Sequence, residues 1–268
     1  NDGSYRYAGA SNTTNNFVCF GYDSTDGTCP TDYLYRIIGV FGNNVKLIKY
    51  DYANSNLLGT SGDYYNGNNP TNVYGTYRGF LEKYDLYYWN NTNASSSVNT
   101  WSQSRLNTVN LNINFISKMG ITWSNKIVET TWKVAGNIGS KVWNVTPITA
   151  YQNEILQPVS SIIYRAKVGL MYASDYGYAA DFSMWAVNLN KYDGGAVITA
   201  NWMYMGLFDW TITPNTDYAW SAYVIHSSGN LSDNSVYNWA SIRPVFYLDS
   251  SVKYISGSGT SFSPFIIE

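Results

Sequence analysis

The chain has 268 residues with 16 basic and 18 acidic side chains, a formal net charge of −2, and 45% hydrophobic residues. It is long enough to bury a substantial core, yet only 13% of its residues are charged against about 25% in ordinary soluble domains, so neutral polar groups must cover the surface. No Lys/Arg cluster offers the footprint that nucleic acid or an anionic membrane requires, and no run of about 18 apolar residues is present to span a bilayer.

Asn, Ser, Thr, Gly and Tyr supply the polar cover, and 26 Tyr and 10 Trp favour strands and loops over helices. The opening NDGSYRYAGA lacks a basic-then-apolar signal segment, so any targeting segment is expected to be missing from this chain. Cys19 and Cys29, in CFGYDSTDGTC, flank a stretch of Gly, Asp, Ser and Thr that can bend back on itself. A disulfide is the favoured reading over two buried thiols, and it implies an oxidising compartment. One His and two Cys cannot fill a four-coordinate zinc site. Asp23, Asp26 and Gly27 lack the ligand spacing of a calcium loop, so no metal or other cofactor is expected. Five glycosylation sequons, beginning at Asn12, Asn90, Asn93, Asn144 and Asn230, are no more than so Asn-rich a composition produces by chance.

RIIGVFGNNVKLIKY, Arg36 to Tyr50, places two β-branched runs around Gly42-Asn43-Asn44 and predicts a β-hairpin. The Gly/Asn-rich stretch from Asp51 to Asn72 predicts a loop. Tyr74 to Leu86 predicts a helix, and a second helix is expected from about Trp101, capped by Asn99 or Thr100. Leu106, Val109, Ile113 and Ile116 would be its apolar stripe and Gly120 its stop. TTWKVAGN and SKVWNVTP predict short strands, as do AKVGLMYASDYGYAA, NWMYMGLFDWTITP, YAWSAYVIH and IRPVFYL, and GSGTSFSPFII predicts a turn and a closing strand. With no composition break and no fixed repeat, residues 1–268 are read as a single α+β domain, two helices on an antiparallel sheet system.

YRIIGVFGNNVKLIK, NTWSQSRLNTVNLN, WSNKIVETTWKVAGN, VGLMYASDYGYAA, NWMYMGLFDWTI and IRPVFYL resemble a group of secreted bacterial domains, over roughly Tyr5 to Ile267. Such domains are similar to the C-type-lectin-like fold used by surface receptors and by variable proteins of diversity-generating retroelements. The resemblance implies two helices on a small sheet, with a ligand face built from the last strands and the loops before them. It places ligand contacts at Asn230, Asp233, Asn234, Tyr237, Asn238 and Trp239, and a supporting frame at Arg243, Pro244, Val245, Phe246 and Leu248. The Tyr/Asn/Ser/Trp composition of HSSGNLSDNSVYNWAS matches the physics of antibody paratopes, where rigid aromatics give area and small polar groups give adaptable hydrogen bonds. The bland alternative is a solvated hairpin loop. Trp202, Trp210, Trp220 and Trp239 are each expected in the core.

The carboxylate triplets of calcium-dependent lectins are missing, so any binding is expected to proceed without calcium. The C-terminal Cys pair of formylglycine-generating enzymes is missing too. Glu154 and Asp175 are the one carboxylate pair worth testing for hydrolysis, with a structural role preferred for Glu154 and an Asx turn before Gly177 for Asp175. His226, the only histidine, ends an apolar run without a G-x-S-x-G elbow and is expected at a strand edge. The expectation is a non-enzymatic extracellular or cell-surface binding module for a protein or glycan. The alternative is a structural subunit of a surface filament or pilus-like assembly.

Overall fold

The computed structural model describes residues 3–24, 27–60, 65–69, 84–90, 98–137 and 145–268, and among these sixteen strands form four sheets of mostly antiparallel pairing. In chain order they begin with β1 (Tyr5–Arg6), β2 (Phe17–Cys19), β3 (Leu34–Phe41), β4 (Asn44–Lys49), β5 (Tyr65–Asn69) and β6 (Tyr84–Tyr88). The middle of the chain adds β7 (Thr130–Lys133), β8 (Ile163–Ala166) and β9 (Val168–Gly169). The last part supplies β10 (Asp209–Pro214), β11 (Ser221–Ile225), β12 (Leu231–Ser235), β13 (Trp239–Ala240), β14 (Val245–Leu248), β15 (Tyr254–Ser256) and β16 (Phe265–Ile267).

β3 and β4 are the expected hairpin. Phe41 faces Asn44 across a two-residue turn whose Gly42 has φ +59°, a conformation in which a residue without Cβ is unstrained. This hairpin is the middle of the largest sheet, ordered β15-β16-β2-β3-β4-β14-β9, with β1 also on β3. RPVFYL is an interior strand of it, one in from the edge: β14 pairs with β4 through Val245↔Ile48 and Phe246↔Leu47, and with β9 on its other side. Pro244, just before the strand, needs to donate no ladder bond, and its carbonyl accepts from Lys49 N–H at 3.0 Å. Three smaller sheets surround this one: β10-β11-β12, β13-β6-β5 and β7-β8. The core between them is aromatic, with Trp89, Trp101, Trp132, Trp202 and Trp210 all fully buried.

Cys19 on β2 and Cys29 form the expected disulfide. Closing so short a loop is worth about 2–3 kcal/mol in the chain-entropy account.

Helical segments are short. The Asp51–Asn72 stretch is not all loop: Asn54 accepts from Leu57 N–H and starts α1 (Ser55–Leu58), and β5 follows. The helix expected over Tyr74–Leu86 lies outside the described residues as far as residue 83, and its end, from Tyr84, is strand β6. There the run YDLYY pairs with β13 and with β5, so tertiary pairing overrides helix propensity.

The second expected helix is present, with a 3₁₀ turn at Trp101–Gln103, a π-helical stretch at Leu106–Phe115 and then α2 (Ile116–Ser124). Gly120 breaks it, with φ +70°, though the chain turns helically again beyond it. The buried face is Leu106, Asn107, Asn110, Leu111, Phe115 and Met119, whereas Ile113 is exposed and Val109 and Ile116 only half-buried. A π register takes more residues per turn than 3.6, so the stripe counted at α-helical spacing drifts off the core side.

SKVWNVTP lies outside the described residues at 140–144, and Pro147 opens α3 (Pro147–Tyr151), capped by the Thr146 hydroxyl and continued by a π turn at Gln152–Leu156. In AKVGLMYASDYGYAA only Val168–Gly169 is ladder strand beyond β8; Ala173–Ala179 is α4, not strand. The Asp175 carboxylate accepts Tyr172 N–H at 2.9 Å and so closes the first turn. NWMYMGLFDWTITP is irregular until β10, after α5 (Gly195–Ala200). No helix among the described residues is long and apolar enough to cross a membrane.

Candidate functional site

The segment His226–Leu248 is not one loop but a sequence of strands and tight turns. β11 and β12 form a hairpin in the register Ser221↔Ser235 to Ile225↔Leu231. His226 closes it just past the strand end: its N–H donates to Asn230 C=O, its Nδ1 lies 2.8 Å from Ser228 Oγ, and its ring packs edge-on to Phe208 at 4.4 Å. Partial burial lowers the pKa of this imidazole. Asn230 accepts from the Ser228 hydroxyl at 2.6 Å, so its side chain braces the same turn.

Beyond β12 the chain reverses over Val236–Asn238. Val236 is fully buried and its N–H donates to Trp220 C=O, while Asn238 N–H donates to Ser235 C=O and Asn238 Nδ2 to Asn234 Oδ1 at 2.7 Å. Asp233 accepts from Ser221 Oγ at 2.9 Å and Asn215 Nδ2 at 3.1 Å. Four of the six predicted contact residues, Asn230, Asp233, Asn234 and Asn238, therefore fasten the backbone with their own polar groups.

Tyr237 and Trp239 are left to present surface. Tyr237 is half-buried at the apex of the turn, and Trp239 is 38% exposed on β13, its ring edge-on to Tyr88 of β6 at 6.4 Å. Tyr218 and Trp220, just before β11, are both about half exposed and pack at 5.3 Å. Trp202 and Trp210 are core residues as expected, but Trp220 at 47% and Trp239 are not. They flank the fastened turns, where the neighbouring backbone is paired. Sequence reasoning missed Tyr218 and Tyr88. The Tyr218/Trp220 doublet beside a polar strand was a usable signal for the first, whereas the pairing that brings Tyr88 to Trp239 is non-local.

Arg243, Pro244, Val245, Phe246 and Leu248 are all buried just after the turn. Ser241 N–H donates to Phe208 C=O and Trp210 N–H to Ser241 C=O, and Arg243 Nε reaches Asp209 Oδ2 at 2.6 Å in a fully buried ion pair. Arg243 also donates to Met203 C=O. Burial pushes the Asp209 carboxyl up to about 6 despite the neighbouring guanidinium.

Glu154 and Asp175 are brought together, but in the interior. Glu154 accepts from Thr213 Oγ1 at 2.7 Å and Ser174 N–H at 3.1 Å, and Asp175 takes Lys46 Nζ at 2.5 Å. Both carboxylates thus tie α4 to β10 and β4. Asp175 closes a helical turn and an ion pair; the Asx turn expected before Gly177 is replaced by this arrangement. Among the described residues no three His, Cys, Asp or Glu side chains gather where they could hold a metal ion.

Burial pushes the Glu154 carboxyl up to about 7, the Ser174 and Thr213 bonds offsetting only part of it. The folded chain therefore holds this proton more tightly than the unfolded chain, where Glu titrates near 4.5. The stability associated with Glu154 is full below about pH 4.5 and is lost as pH rises through 7. Glu154→Gln will remove that dependence, moving the variant-minus-wild-type stability by about 3 kcal/mol in the variant's favour between acid and mildly alkaline pH. Urea denaturation of both proteins across this range checks it.

No family model, no curated protein and no solved structure matches the chain.

Proposed function

We propose that this chain is an extracellular ligand-binding module of C-type-lectin-like fold, whose contact face is Tyr237, Trp239 and the flanking Tyr88, Tyr218 and Trp220. The observation that carries the reading is the division of labour within one segment. Asn and Asp side chains lock the turns, so the aromatic side chains sit on a backbone already ordered before any ligand arrives. Preorganised aromatics lose little entropy on binding and are the usual energetic centres of interfaces. The Cys19–Cys29 disulfide and the low charge are compatible with a place outside the cell.

The test is a paired measurement. Protein and glycan ligands selected on the wild type should bind Tyr237→Ala/Trp239→Ala at least about 30-fold more weakly, a loss of about 2 kcal/mol. Stability should fall by less than the roughly 3–5 kcal/mol of a core aromatic truncation, since both side chains are partly exposed. A variant that unfolds as readily as a core mutant would make these residues core and end the proposal. Chelation of calcium should leave binding intact.

A filament subunit is the second reading, and one observation favours it. β15 is the terminal strand of the large sheet with all three residues exposed, and Phe262, in the turn before β16, is 97% exposed. An exposed strand edge beside bare apolar side chains invites pairing between copies. Light scattering across a concentration series separates the two readings: growth without limit supports the filament, a constant mass the binding module.

A further inference from the structure

Lys46 of β4 carries its amine into the interior, its side chain 1% exposed, and Asp175 of α4 meets it there, 3% exposed, with Nζ 2.5 Å from Oδ2. The two residues lie 129 apart in the chain. Around Nζ stand the rings of Tyr172 at 4.6 Å, Tyr247 at 5.4 Å, Phe41 at 5.5 Å and Trp132 at 5.7 Å. Two opposite charges buried in such an enclosure give up hydration that their mutual attraction hardly offsets, so stability alone is a poor reason for the pair.

The same contact is the starting geometry for a condensation. Moving one proton across it, from Nζ to Oδ2, turns the pair into an amine and a carboxylic acid, and an aromatic interior favours neutral groups over separated charges. The amine is then a nucleophile held against the carboxyl group it would attack. Tyr172 N–H donates to Oδ2 at 2.9 Å and keeps the carboxyl in place. Glu154 stands next to them: it accepts the N–H of Ser174, the residue before Asp175, and with its carboxyl pushed by burial up to about 7 it can carry a proton near neutrality.

We propose that Lys46 and Asp175 join in an amide bond, a cross-link between β4 and α4 that the folded chain forms by itself. Nζ attacks Asp175 Cγ, the C–N bond forms, the bond from Cγ to Oδ2 breaks, and Oδ2 leaves as water with two protons given up by Nζ. Oδ1, 3.6 Å from Arg6 Nη1, stays as the amide carbonyl. One ammonium and one carboxylate become one neutral amide and one water, so the step needs no oxidant, reductant or co-reactant. The cross-link is separate from the β12–β13 face and does not depend on it.

Intact mass spectrometry of the folded protein tests this directly. The mass should lie about 18 Da, one water, below that of the disulfide-bonded chain. After unfolding and reduction, trypsin should fail to cut after Lys46 and should release residues 37–49 joined to residues 168–191 as one branched peptide. Lys46→Met removes the nucleophile while keeping a long side chain, and it should recover the full mass. Glu154→Gln, with its fold checked by near-ultraviolet circular dichroism, should be purified with a larger uncross-linked fraction, which a carboxyl of purely structural use would not produce. Should Lys46→Met fail to fold, the wild-type peptide map still decides. The proposal is overturned if the folded wild type has the full mass, if the missing water maps to a single unbranched peptide, or if Lys46→Met shows the same loss.

Discussion

Phe246→Ala will destabilise the protein by about 3–5 kcal/mol, read as a shift in the denaturation midpoint at unchanged slope. The ring is fully buried on β14 and is the meeting point of three others: Phe20 at 5.0 Å, Tyr35 at 5.3 Å and Phe115 at 6.2 Å. These come from β3, from the chain just after β2, and from the π-helical segment, so no single element can move in to fill the space. Loss of apolar burial and the cavity left behind therefore add. In the proposed binding role, any affinity of the turn before β14 should fall only as the folded fraction falls. A Phe246 variant that keeps the wild-type midpoint would show that the core does not converge on this strand.

Arg243→Ala should cost as much, about 3–5 kcal/mol near neutral pH, because it leaves a buried carboxylate without its cation. Asp209 is fully buried, and among the described residues its second oxygen, Oδ1, has no hydrogen-bond partner even in the wild type. The sign of the pH dependence separates this account from simple loss of packing. The Asp209 carboxyl already stands at about 6 when folded, above its unfolded value of 3.8, and removing the guanidinium that lowers it will raise it further. The variant's folded state will then favour the protonated acid, and part of the lost stability will return as pH falls from 8 toward 4. A deficit constant over that range would mean that the pair matters only for the volume it fills.

Elements specified by neighbouring residues were legible in the sequence. The Gly42-Asn43 turn between β-branched runs, the disulfide across a bendable loop and the helix break at Gly120 each depend on chain within reach of a few residues. RPVFYL was readable as a core strand from its apolar content, but the partner of its Arg was not, since Asp209 lies 34 residues earlier. α4 was hidden because ASDYGYA carries a Gly and two Tyr, and its start is enforced by Asp175 and by Glu154 from another helical segment. The apolar stripe after Trp101 was misassigned by the π register. At the candidate face the chemistry of the segment was legible, but which side chains fasten and which present was not. Asn and Asp read the same in either role until their partners, Ser221 and Asn215 among them, are known.

Among the described residues, the one parallel pairing in the large sheet joins β16 to β2, Phe265 to Val18 and Ile266 to Cys19. Strands far apart in the sequence thus lie side by side, and an emerging polypeptide cannot finish this sheet until β16 has left the ribosome. Until then β2 is a bare edge carrying a thiol that awaits oxidation. Such long-range closure is slow to find, and a nick between β14 and β16 would reopen the same edge at the other end of the molecule's life.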